Sequence, residues 1–160
     1  VVRYVTWALE NVRKRIQKDL HPTKRKYFKR SRKLLRTHKK KLSEENLNAL
    51  ELMLLQSPDL AVAYHLKELF YDFMNSKDRT EATKKLKFFI LAAQTSNLKE
   101  FQACLTMLGN WSKYILNSFE CNYTNGYTEG TNNAIKVIKR NAYGYRNFNN
   151  FRNRIFLSLT

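Results

Sequence analysis

Apolar residues recur at helical spacing along most of the chain. Val2, Val5, Leu9, Val12 and Ile16 form one stripe over residues 1–19, which predicts an amphipathic helix. Arg3, Arg13, Lys14, Arg15 and Lys18 supply its polar side, Trp7 lies off the stripe, and Pro22 after His21 closes the segment. Ser43 before Glu44 and Glu45 is a candidate N-cap with first-turn acids, followed by an apolar stripe of Leu47, Leu50, Met53 and Leu54. Ser57 and Pro58 open the next helix as cap and first helical residue; Leu60, Ala63, Tyr64, Leu66, Phe70, Phe73 and Met74 give it a broad apolar face. After a polar break at 75–79, Thr80 can cap a helix through Leu86, Phe89, Ile90 and Ala93. Asn97 can cap another that carries Leu98, Phe101, Leu105, Leu108, Trp111, Ile115 and Leu116, with Gly109 allowing a kink or close packing. No alternation of period two lasts long enough to predict a strand.

Near the C-terminal end, residues 120–124 form a connection and Asn125-Gly126 is a turn signal; helical period follows, placing Glu129 in a first turn. Thr131, Ala134, Ile135, Ile138 and Ala142 then make an apolar back, and Glu129, Asn133, Lys136 and Arg140 a polar front. Residues 141–146, with Gly144 between Tyr143 and Tyr145, read as a loop. A last helix from Asn147 turns Phe148, Phe151, Ile155 and Leu159 inward and brings Arg152 and Arg154, with Arg146, toward the front. The fold expected is therefore mainly α, with about six to eight helices. Its parts are a basic helical segment at 1–41, a helical bundle at 42–120, and a C-terminal pair at 121–160.

Charge divides the chain in the same way. The net +17 is concentrated at the ends: residues 1–41 hold sixteen basic and two acidic residues, 42–120 eight and ten, and 121–160 six and one. Two cationic surfaces on a near-neutral scaffold are the footprint of a polyanion binder. Within residues 24–41, Tyr27, Phe28, Leu34 and Leu35 interrupt a dense run of cations that includes Lys24, Arg25, Lys26, Lys29 and Arg30. Like charges at that density repel, so a mobile segment or marginal helix is expected there. The two aromatics either stack on exposed bases or pin the block to the domain; pinning is favoured because they bury large apolar area.

Cys104 and Cys121 form no C-x-x-C, and His21, His38 and His65 are scattered, which argues against structural zinc and for a reducing, cytoplasmic compartment. No apolar run approaches about 18 residues, no secretory signal is visible, and the basic block lacks the wide apolar face of an interfacial helix, so no membrane partner is expected. The chain opens on Val1 rather than Met, as expected of a piece of a longer protein.

A single acid among cations has two explanations. Glu129 is the one acid against six cations in residues 125–154. It either sits in a first turn because the helix dipole favours it there, or it is a hard oxygen ligand for a divalent ion beside a phosphate-binding row. The aspartates Asp19, Asp59, Asp72 and Asp78 lie at caps, helix ends or breaks rather than beside a plausible metal site.

The string Asn-Gly-Tyr-Thr-Glu-Gly-Thr-Asn-Asn-x-Ile-Lys-x-x-Lys-Arg-x-x-x-Gly-Tyr-x-x-Phe-x-x-Phe-Arg-x-Arg, beginning at Asn125, resembles the C-terminal signature of ISL-type transposases of bacterial insertion sequences. That family is similar to other enzymes with an Asp-Asp-Glu triad on an RNase H-like core, and Glu129 matches the triad's Glu. The resemblance extends more loosely over the rest of the chain, as the region between the second Asp and the Glu. In the family the second Asp lies in a segment ending Asp-x-aromatic-His, directly followed by residues like Val1-Val2-Arg3.

The resemblance implies that the strands and both aspartates lie upstream, and that the full enzyme uses Mg²⁺ or Mn²⁺ to cleave and join DNA at insertion-sequence ends. It implies Glu129 as catalytic metal ligand, with Asn132, Asn133, Lys136, Lys139 and Arg140 near the DNA. A homo-oligomer is expected in the active complex, and neither bound metal nor activity in the isolated chain. The competing expectation is a non-catalytic helical nucleic-acid-binding module in which Glu129 is only a first-turn acid.

Overall fold

A computed structural model describes residues 1–30, 32–120 and 126–159. The predicted turn at Asn125, most of the connection before it and the Cys121 thiol lie outside the described residues. The elements are α1 (Val2–Lys18), α2 (Pro22–Arg30), α3 (Arg32–Arg36), α4 (Glu44–Leu54), α5 (Pro58–Met74), α6 (Arg79–Thr95), α7 (Gln102–Asn117), α8 (Gly126–Asn141) and α9 (Phe148–Leu159). Short 3-10 turns occupy Lys39–Lys41 and Lys99–Phe101. Among the described residues there is no strand, so the mainly α reading holds. The chain divides into two compact units, Val1–Cys121 and Asn122–Thr160.

In the first unit α5 is the central element, in contact with α1, α4 and α6. Its Leu60, Ala63, Leu66, Phe70 and Phe73 are buried against Val5, Ala8, Leu9 and Val12 of α1 and Ala82, Leu86, Phe89 and Ala93 of α6. The Phe70 ring stands edge-on to Phe73 at 5.4 Å and to Phe89 at 5.1 Å, arrangements that add to area burial. Phe101, Cys104 and Leu108 complete this core.

Helix starts follow local chemistry. Ser43 accepts a hydrogen bond from the Asn46 N–H at 3.4 Å. Ser57 stands at the N-cap of α5 without a side-chain cap bond, and Pro58 leads the helix, where its missing N–H costs nothing. Two predicted caps move. Asp78, not Thr80, caps α6, accepting from the Glu81 N–H at 2.8 Å. Asn97 takes φ of 54°, the left-handed conformation that Asn tolerates and an N-cap does not adopt; the chain then passes through the 3-10 turn before α7. Along α7 the apolar face passes through Cys104, and Trp111 is left 57% exposed.

The described residues of the block at 24–41 form α2, α3 and a 3-10 turn. Phe28 and Leu35 are buried, so pinning is the role of Phe28, while Tyr27 stays largely exposed with its hydroxyl 3.4 Å from the Ala49 carbonyl. Two polar networks fix the block further. Arg13, predicted on the solvent side of α1, is buried: it donates to both Glu10 carboxylate oxygens, at 2.6 and 3.1 Å, and to the Phe28 carbonyl at 3.3 Å. Burial would raise the Glu10 pKa, but the Arg13 hydrogen bond and the charges of Arg13, Arg32 and Lys14 outweigh it and hold the carboxyl below its ordinary value.

Lys67 of α5 forms the second network. Wholly buried, it donates to the Thr37 carbonyl at 2.8 Å, pairs with Glu68, and stands 4.0 Å from the Tyr64 ring centroid. Burial pushes its pKa down and the Glu68 carboxylate opposes that shift. Glu68 also accepts from the Lys39 N–H at 3.1 Å, and the Tyr71 hydroxyl donates to the Arg36 carbonyl at 3.3 Å.

The second unit is a helix pair. Thr131, Ala134, Ile135 and Ile138 of α8 and Phe151 and Ile155 of α9 are half-buried, and no described residue of α8 or α9 is fully buried. Two helices share one face, which covers each apolar stripe only in part. Phe148 and Leu159, predicted inward, are 74% and 43% exposed.

Candidate nucleic-acid interface

Two cationic surfaces are built by different elements. In the second unit the helical turn of α8 sets the row: Glu129 lies in the first turn, and Asn133, Lys136 and Arg140 follow on its stripe, all exposed. Asn132 and Lys139, also exposed, flank the row on one side. The helix ends by a Schellman motif, in which Gly144 N–H donates to the Lys139 carbonyl at 3.0 Å and Tyr143 N–H to the Arg140 carbonyl at 2.9 Å. Gly144 has φ of 97° and Tyr143, in the left-handed position usually given to glycine, φ of 50°. Asn147 then caps α9, accepting from the Asn149 N–H at 2.8 Å. Arg146, Arg152 and Arg154 are exposed. Two residues apart on α9, Arg152 and Arg154 point to different sides of it and form no single row.

The first unit presents the cations of α2 and α3. Lys24, Arg25, Lys26, Lys29 and Arg30 are all exposed, and Lys24 donates to Gln56 at 3.2 Å. Arg30 joins residues that the periodicity did not mark as functional, Arg3 and Trp7 of α1 and Arg32, Lys33 and Arg36 of α3, along one groove. Trp7 off the apolar stripe was the available signal. Lys67 had a signal too, since it interrupts the apolar face of α5 between Tyr64 and Phe70.

Among the described residues no cluster of three or more His, Cys, Asp or Glu could hold a metal. The aspartates serve the fold instead. Asp19 is the C-cap of α1, Asp59 pairs with Arg15 at 2.9 Å, Asp72 lies 3.9 Å from Lys40, and Asp78 caps α6. Glu129 can offer one hard oxygen ligand and is the one acid of its unit. No helix among the described residues is long and apolar enough to cross a membrane.

A Lactococcus lactis subsp. lactis protein described as an ATP-dependent protease is 35% identical over 108 residues, 66% of this chain and 32% of that one. The chain therefore spans about a third of the curated relative it matches. That description stays with the relative; the four glycines here, Gly109, Gly126, Gly130 and Gly144, form no nucleotide-phosphate loop. No solved structure matches. The model of the ISL3-type DDE transposase family, described as a transposase, matches residues 1–155. Nearly the whole chain is covered, and the chain belongs to the ISL3-type transposase family.

Proposed function

We propose that this chain is the C-terminal part of a DNA transposase that cleaves and joins strands at insertion-sequence ends, and that Glu129 is one of its catalytic carboxylates. The observation that carries the reading is the exposed row on α8, where a single carboxylate heads a line of amide and cationic side chains. Mg²⁺ or Mn²⁺, when bound in the full enzyme, would supply electrophilic stabilisation of the phosphate, and Glu129 would give it one oxygen ligand. Glu129 is the one acid of residues 121–160, and no group of three or more His, Cys, Asp or Glu among the described residues could hold a metal; the remaining ligands are expected from parts of the protein outside this chain.

The chain's own task is positioning. Lys136 and Arg140 hold phosphate oxygens through charge-assisted hydrogen bonds, and Asn132 and Asn133 donate amide N–H groups to the same backbone. The cations of α2 hold duplex DNA on the first unit without reading sequence. A homo-oligomer that brings two element ends together in the cytoplasm completes the proposal.

The test assays the full-length protein and the 160-residue chain side by side on end-labelled DNA with Mg²⁺. We expect cleavage and joining from the full-length protein only, abolished by chelation. Cleavage by the chain alone, lost in its Glu129→Gln variant, would contradict the placement of the other ligands outside it.

A further inference from the structure

The groove between α1 and α2–α3 combines cations with an exposed indole in a way that duplex binding does not explain. Arg3, Trp7, Arg30, Arg32, Lys33 and Arg36 line it, and all six are exposed. Glu10, the acid among its lining residues, is already engaged by Arg13 at 2.6 Å and lies 3.4 Å from Arg32. The groove therefore keeps a strong positive field. Trp7 is 57% exposed, and the Arg3 guanidinium stands 4.8 Å from its ring centroid. Exposing an indole forgoes the burial that a tryptophan usually gains, and here the exposed ring shares its groove with five cations as well as with Val2 and Tyr71.

Phosphates of an intact duplex need only the cations, because paired bases stay stacked inside the helix and offer no face to Trp7. An unpaired base does offer one, and aromatic platforms within cationic channels are how proteins hold single strands. We propose that this groove binds a single-stranded segment of nucleic acid, with one base stacked on Trp7 and the adjoining phosphates held by Arg30, Arg32, Lys33 and Arg36. Arg3 positions the indole from one side and adds its charge to the stack. The site uses no residue of the second unit, so it stands or falls independently of Glu129.

Indole fluorescence separates this from duplex binding. The chain has two tryptophans, so Trp111→Phe leaves Trp7 as the reporter. Oligothymidylate is expected to quench that signal, and a blunt duplex of equal length at the same salt to leave it nearly unchanged. Trp7→Ala should weaken oligothymidylate binding about 5- to 150-fold, the loss of one stacked base, while duplex affinity changes less than about twofold. Trp7→Phe, which keeps a ring, should restore most of the affinity and guards against a folding defect in the alanine variant. Arg30→Ala and Arg36→Ala should each flatten the salt dependence for the single strand by about 0.7. Equal quenching by duplex and single strand, or unchanged oligothymidylate affinity in Trp7→Ala, would overturn the proposal.

Discussion

A carboxylate in a first turn is stabilised by the helix dipole wherever it occurs, so the position of Glu129 alone does not distinguish a ligand from a cap. Asn133, Lys136 and Arg140 share its stripe and are exposed, so they offer amide and charged donors to a phosphate. Lys136→Ala and Arg140→Ala should each reduce the slope of log affinity against log salt by about one, with little change in helix content. Titrations at several salt concentrations measure this. Cys104 illustrates the opposite kind of residue: it is buried, and burial pushes its thiol pKa up to about 12. Little thiolate is then present at neutral pH, so in a Cys121→Ser variant Ellman's reagent should label Cys104 only after unfolding. Rapid labelling of the native variant would show that this core opens.

At the scale of elements, the long amphipathic stretches could be read from sequence, while of the two buried cations only Lys67 left a mark there, as an interruption of the apolar face of α5. Helical period located α1, α5 and α8, and the apolar back of α8 lies where Thr131, Ala134, Ile135 and Ile138 placed it, while Ala142, expected there too, lies past the helix end and is exposed. Periodicity is blind to a charge that finds a partner in space. Arg13 and Lys67 are buried beside carboxylates near in sequence, Glu10 and Glu68, and donate to the Phe28 and Thr37 carbonyls, which only tertiary packing brings to them. In the basic block likewise, the burial of Phe28 and Leu35 in α2 and α3 rests on contacts that charge density along the chain does not convey. Phe28→Ala should cost about 3–5 kcal/mol in a denaturation experiment, since it removes a fully buried ring that pins α2. The Glu10–Arg13 pair adds a pH dependence. With its folded pKa below the unfolded one, Glu10 contributes stability that is complete above the ordinary carboxylate range and is lost as pH falls through the depressed folded value. Melting curves of wild type and Glu10→Gln should therefore converge on acidification, and a constant gap between them would contradict the pair's role.

Across the whole molecule, charge is the feature that sequence conveyed best and location the one it conveyed least. The net +17 points to a polyanion, yet Arg15 is taken up by Asp59 and Glu100 at 2.9 and 2.7 Å and Arg79 by Glu120, so only part of it faces a ligand. Duplex binding by the chain should still be steeply salt-dependent, at about −0.9 per phosphate neutralised; a flat dependence would remove the electrostatic basis of the account. Family membership makes the central claim sharper, because a transposase needs a carboxylate that binding alone does not. The most direct measurement is strand cleavage and joining by the full-length protein carrying Glu129→Gln, assayed with Mg²⁺ beside DNA binding and thermal melting. Gln keeps the size of Glu and removes the charge a divalent ion requires, so the expected result is loss of both reactions with binding and folding nearly intact. Wild-type rates of cleavage and joining, with a stability change of only about 0.3–1 kcal/mol, would mean that Glu129 serves the helix and not the chemistry.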